Sequence, residues 1–117
     1  MNTIQNRNLT TLEVKKKDFI AYFIEYLKRS TYIKAKNIAT DYLIDFCNYE
    51  YNIHNINGLA RRFTKIINVA QNLSLIVKYN NNKVYKVIKP INYTTLEHKL
   101  IRKTELKNFT IGATSDV

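Results

Sequence analysis

The stretch over residues 57–90, NGLARRFTKIINVAQNLSLIVKYNNNKVYKVIKP, changes its hydrophobic period halfway along. In the first half Leu59, Phe63, Ile66, Ile67 and Ala70 recur at helical spacing, which predicts a helix from 58 to 70 or 72 with one apolar stripe. Arg61, Arg62, Lys65 and Asn68 point elsewhere, and Arg61, Lys65 and Asn68 align along a second face. In the second half, β-branched and aromatic residues predict strands over 73–79 and 83–88. Between them Asn80, Asn81 and Asn82 suit a tight turn, because asparagine tolerates left-handed backbone geometry. Lys83, Lys86 and Lys89 punctuate the second strand, and Pro90 ends it or places it at an edge.

Upstream, Phe19, Ile20, Phe23, Ile24, Tyr26 and Leu27 predict a core helix beginning at 16 or 18 and ending near 29. Asp18 suits the positive end of its dipole, and Lys28 and Arg29 suit the negative end. Tyr32 and Ile33 read as a very short strand. A second helix starts near 35 or 36 and turns Ala35, Ile38, Ala39, Tyr42, Leu43 and Phe46 inward. Residues 48–57, rich in Asn and Tyr, read as the connection to the third helix, with Asn55 or Asn57 as its cap and Gly58 in its first turn. Downstream, Thr94 and Glu97 have capping-box spacing for a helix ending near 107, whose Leu96, Leu100, Ile101 and Leu106 cover the domain or meet a second subunit.

The expected organisation is an N-terminal flexible arm over 1–14, a folded domain over 15–90, a helical extension over 91–109 and a flexible tail over 110–117. The arm holds Arg7 as its one cation within ten residues, which makes it a weak minor-groove arm. With 117 residues a single small core is within reach.

Nineteen Lys and Arg against nine Asp and Glu give a formal charge of +10, so the expected partner is a polyanion. Cys47 stands alone, which excludes an internal disulfide and a cysteine zinc cluster and suits a buried thiol. His54 and His98 fit no compact metal motif. There is no triad-like arrangement and no glycine-rich phosphate loop, so neither enzyme nor cofactor is expected. No signal-peptide pattern and no apolar run of spanning length occur, and the expectation is an intracellular, soluble protein, cytoplasmic or nucleoid-associated.

The order helix, short strand, helix, helix, strand, turn, strand over residues 16–90 resembles the winged-helix family, a helix-turn-helix variant. The resemblance implies an α+β fold with three core helices, a C-terminal β-hairpin wing and here one additional C-terminal helix. It makes 57–72 a recognition helix for the major groove of double-stranded DNA and 80–82 a wing tip for the backbone or minor groove. It further implies a transcriptional regulator, acting as a homodimer through the helix after Pro90.

The residue chemistry supplies roles for such a site. Arg61 or Arg62 offers paired donors to guanine O6 and N7, and Asn57 or Asn68 matches adenine. Lys36, Lys65, Lys83 and Lys86 suit phosphates, as does Lys89. Asn81 suits a narrow groove or the backbone. Other readings stay open. The same module serves plasmid or viral replication accessory proteins, and a basic, tyrosine-rich surface also suits a protein-interaction adaptor. Tyr79 and Tyr85 suit stacking on unpaired RNA bases, although a ring on an apolar strand face is the commoner outcome. The apolar stripe of the third helix is needed for the core, which argues against a membrane-surface role.

Overall fold

A computed structural model describes residues 11–47, 53–89 and 92–112. The expectations for Arg7, the Cys47 thiol, Pro90 and the segment 113–117 lie outside what it describes. In chain order the elements are β1 (Thr11–Val14), α1 (Lys16–Lys28), β2 (Tyr32–Ile33), α2 (Ala35–Cys47), α3 (Ile53–Asn72), β3 (Ile76–Lys78), β4 (Tyr85–Val87), α4 (Tyr93–Lys103) and β5 (Phe109–Gly112). The architecture is α+β: three core helices, a β3–β4 hairpin wing and an additional C-terminal helix, the arrangement of a winged helix.

The core is aromatic because α1 and α3 present their rings to one another. Phe19 and Phe63 stack with centroids 4.2 Å apart, and Phe23 lies 6.4 Å from Phe63 on the same side. Tyr42 of α2 meets Phe19 edge-on at 5.3 Å. Each such pair adds about 0.5–1.5 kcal/mol beyond the apolar area it buries. Ile20, Leu27, Ile38, Leu43, Leu59, Ile66 and Ile67 complete the interior. On the outer side of α1, Tyr22 donates to Asp45 at 2.8 Å and Tyr26 donates to Asp41 at 2.6 Å, which clamps α1 to α2.

Two backbone devices aim the wing. After α3, the Leu75 amide donates to the Ala70 carbonyl and the Ser74 amide to the Gln71 carbonyl, with Ser74 left-handed at φ 65°. This is a Schellman turn, and it points the chain back into β3. The three-stranded sheet has the order β2-β4-β3, all antiparallel, so the short strand before α2 holds the base of the wing. At the tip the Asn82 amide donates to the Asn80 side chain at 2.9 Å. The left-handed residue is Lys83, at φ 63°, rather than one of the asparagines.

Three boundaries differ from the sequence reading. α3 begins five residues before Gly58, so Asn55 and Asn57 lie inside the helix and neither caps it. Ile56 extends the apolar stripe backward and packs on the core. α4 is capped by Asn92, whose side chain accepts from the Thr95 amide at 3.0 Å, instead of by Thr94. It stops at Lys103, and Leu106 is buried from an extended segment.

Both ends of the described chain also carry strand where an arm and a tail are expected. β1 and β5 pair antiparallel, with Leu12 opposite Ile111 and Val14 opposite Phe109. Val14 and Ile111 are buried, and Phe109 meets Phe19 edge-on at 5.1 Å. Asn108 also caps α1, its side chain accepting from the Lys16 amide at 2.8 Å, while the Lys16 ammonium reaches the Thr104 carbonyl. The C-terminal extension is thereby fastened to α1. Leu96 and Leu100 of α4 are buried in the same chain, where α4 packs on α1.

Candidate nucleic-acid interface

A groove of about 680 Å³ runs between the start of α2, the outward side of α3 and the wing tip. α2 contributes Lys36, preceded by Lys34; α3 contributes Asn57, Arg61 and Thr64; the wing contributes Asn81, Asn82 and Lys83. The helical spacing of 57, 61 and 64 puts those three on one face. Because α2 begins at this groove, the positive end of its dipole adds to the field of the lysines.

Among the described residues, no carboxylate lines the groove. The cause is visible along the whole chain, because residues 51–96 contain seven Lys and Arg and no Asp or Glu. The acids of α2 are turned the other way, where Asp41 and Asp45 accept from Tyr26 and Tyr22. The same short helix thus separates an acidic, tyrosine-clamped side from a cationic mouth.

The nine sequence-predicted site residues are divided by the fold. Lys36, Asn57, Arg61, Asn81 and Lys83 meet at this groove. Lys65 and Arg61 border a second groove of about 430 Å³, which also takes in Glu105, Lys107 and Asn108. Asn68 is exposed one turn farther along α3. Lys86 lies on the open face of the sheet, beside Tyr32 and Val77 in the pairing register.

Arg62 departs furthest from the role of a base reader. Its guanidinium lies 4.0 Å over the Phe109 ring and Nη1 donates to the Gly58 carbonyl at 3.3 Å. Burial, and then the neighbouring charge of Arg61, hold its pKa below the ordinary guanidinium value. A side chain placed this way fastens β5 to α3, and of the arginine pair it is Arg61 that is exposed. Lys89 is likewise engaged, donating to the Lys28 carbonyl at 3.2 Å at the negative end of α1.

Lys34, Thr64 and Asn82 belong to the groove but escape a reading based on α3 and the wing alone. The acid-free run is the sequence signal that marks the last two, and the spacing of Lys34 and Lys36 marks the first. Of the two tyrosines considered for stacking, Tyr85 is half-buried in the row of Ile33, whereas Tyr79 is exposed.

Among the described residues there is no group of three or more His, Cys, Asp or Glu side chains able to hold a metal ion. Among them also, no helix is long and apolar enough to cross a membrane. Fold and groove together define a winged-helix-type domain with a cationic mouth between helix and wing. Comparison of the chain with family models, curated proteins and solved structures found no match.

Proposed function

We propose that this chain is a sequence-selective double-stranded DNA-binding protein, and that it regulates transcription by occupying an operator. The observation that carries the reading is the groove just described, where three elements converge cations and amide side chains and no acid intervenes. Lys34, Lys36 and Lys83 supply phosphate contacts that set the register of the duplex. Arg61 is the base reader, with the planar donor pair that matches guanine O6 and N7. Asn57, on the same face and one turn earlier, supplies the donor and acceptor that match adenine. Thr64 Oγ1 donates to the Ala60 carbonyl at 2.8 Å, so its methyl-bearing side is what it offers a base edge. The mechanism is occupancy, without covalent chemistry.

A homodimer would give such a protein two half-sites. Since Leu96 and Leu100 are buried within the chain, an α4 interface would be built on its outer side, where His98, Arg102 and Lys103 are exposed. A replication accessory role for a plasmid or virus uses the same groove and differs only in where the site lies. The adaptor reading draws on a separate observation, the exposed Ile44 and Phe46 near the end of α2.

Selection from a random duplex library at near-cell ionic strength tests the proposal. A reproducible site is the expected result, and an inverted repeat identifies the dimer. Failure to enrich any sequence, with equal affinity for duplex DNA and other polyanions, would refute sequence-selective recognition. A stable complex with an acidic protein and no duplex preference would favour the adaptor.

A further inference from the structure

The open face of the wing sheet carries a chemistry different from that of the groove. β2, β4 and β3 pair so that Tyr32, Lys86 and Val77 lie side by side in one row. Ile33, Ile76 and Val87 are buried on the opposite face. Strand alternation therefore turns Tyr32, Val77, Tyr79, Lys86 and Ile88 outward together. Four of these five are large exposed hydrophobics, with Tyr32 46% and Tyr79 57% accessible. The two tyrosine rings lie 4.8 Å apart at 59°. They form a small aromatic shelf that no other described element covers.

The surrounding charge selects what can cover it. Lys86 stands in the middle of the face, and Lys83 is exposed at the tip of the same hairpin. An apolar protein surface pressed here would bury the Lys86 ammonium between Tyr32 and Val77, and protein interfaces are depleted in lysine for that reason. A nucleic-acid strand satisfies both requirements, because its bases stack on the rings and its phosphates meet the lysines. The shelf is continuous with the groove. The Tyr79 amide donates to the Val84 carbonyl at 2.7 Å, and Val84 and Lys83 line the groove.

We propose that the open face of the wing is a stacking platform for unpaired bases of a DNA strand leaving the duplex held in the adjacent groove. The preferred ligand is then a junction between double- and single-stranded DNA. Tyr32 and Tyr79 hold the bases and Lys86 meets the intervening phosphate. The inference rests on the duplex reading of the groove, and the test separates the two.

Fluorescence anisotropy with three probes makes the separation: a blunt duplex, the same duplex with an oligothymidine tail, and that duplex with an oligouridine RNA tail. Affinity for the blunt duplex reports on the groove, and the gain from the tail reports on the platform. The DNA tail is expected to raise affinity on the order of tenfold. Tyr32→Ala and Tyr79→Ala should each remove most of that gain and leave blunt-duplex affinity unchanged, while Tyr79→Phe keeps it. In a Tyr79→Trp variant the tailed probe, and not the blunt one, should quench indole emission. Both rings are exposed, so equal melting temperatures verify that the alanine variants fold. No gain from a tail, or a gain that survives both alanine variants, overturns the platform even where the blunt duplex binds. A gain from the RNA tail alone overturns its assignment to DNA. Conversion of a self-associated species to monomer by Tyr79→Ala, with the tail gain intact, assigns the face to a second copy instead and also overturns it. Absence of blunt-duplex binding counts against the groove.

Discussion

Four cations line the groove beside the wing, Lys34, Lys36, Arg61 and Lys83, and their number sets a measurable quantity. Each phosphate neutralised on B-DNA releases condensed counterions, so the logarithm of affinity falls with the logarithm of salt at about −0.9 per contact. If all four meet phosphates, the slope is about −3.6, and affinity drops about 150-fold between roughly 50 and 200 mM salt. If Arg61 is given to a base, three contacts remain, and the slope is about −2.7 with a drop of about 40-fold. The perturbations are Lys83→Ala, Arg61→Ala and, as the control, Lys89→Ala, whose ammonium is engaged at the Lys28 carbonyl away from the groove. Anisotropy titrations of a blunt duplex across a salt series read each slope. Lys83→Ala should make the slope shallower by about 0.9 and weaken all sequences alike. Arg61→Ala should leave the slope within error and relax discrimination at one base position. Lys89→Ala should change neither. A slope unaltered by Lys83→Ala, or altered equally by Lys89→Ala, would mean that charge acts through the overall field, and the assignment of contacts to this groove would be wrong.

Three further outcomes are expected of the fold itself. Ser74→Gly removes a side chain from a left-handed position in the Schellman turn and should raise stability by about 1 kcal/mol in urea denaturation; a loss would show that the serine makes a contact outweighing its backbone cost. Asn108→Ala withdraws the cap on the Lys16 amide and should lower stability by about 1 kcal/mol by the same measurement, with an unchanged midpoint contradicting the capping role. The Tyr26 hydroxyl, desolvated and donating to Asp41, has its pKa pushed up to about 12 from 10.0, and Tyr22 beside Asp45 is shifted in the same direction for the same reasons. The neutral phenol is the form the fold favours, so this stabilisation is whole below about pH 10 and is lost as pH climbs through the raised value. A Tyr22→Phe, Tyr26→Phe protein should therefore show a shallower alkaline decline in melting temperature, and parallel curves would exclude the phenols as its source.

The wing and the three core helices were legible because each has a strong period over many residues. Phe19, Phe23 and Leu27 mark α1, and Leu59, Phe63, Ile66 and Ala70 mark α3, whatever the tertiary context. The start of α3 was hidden by composition, since His54, Asn55 and Asn57 have low helix propensity and obscure the stripe that Ile56 continues. The cap of α4 was ambiguous locally, because Asn92 and Thr94 both suit a cap and the position of the first turn decides between them. The β1–β5 ribbon was illegible for a different reason. Leu12 and Val14 alternate with Glu13, and Phe109 and Ile111 with Thr110, but four residues are too few to separate a strand from a loop without the partner. At the site, helical spacing found a face of Arg61, Lys65 and Asn68, of which Arg61 lines the groove beside the wing, and it took Asn57 for a cap because the start of α3 was hidden. It could not foresee that Phe109, forty-seven positions beyond Arg62, would hold that guanidinium away from the groove beside the wing.

The pairing of Thr11 with Gly112 joins positions about a hundred residues apart. Closing a loop of that length in a disordered chain costs about 4 kcal/mol of entropy before any constant term, and a two-stranded ribbon without a core beneath it is at best marginally stable in water. The ribbon must therefore zip after the helices have brought its halves together, when the remaining search is short. Its amides should be the earliest to exchange with deuterated solvent and those of α1 and α3 among the last, so that the molecule opens at its seam before its centre yields.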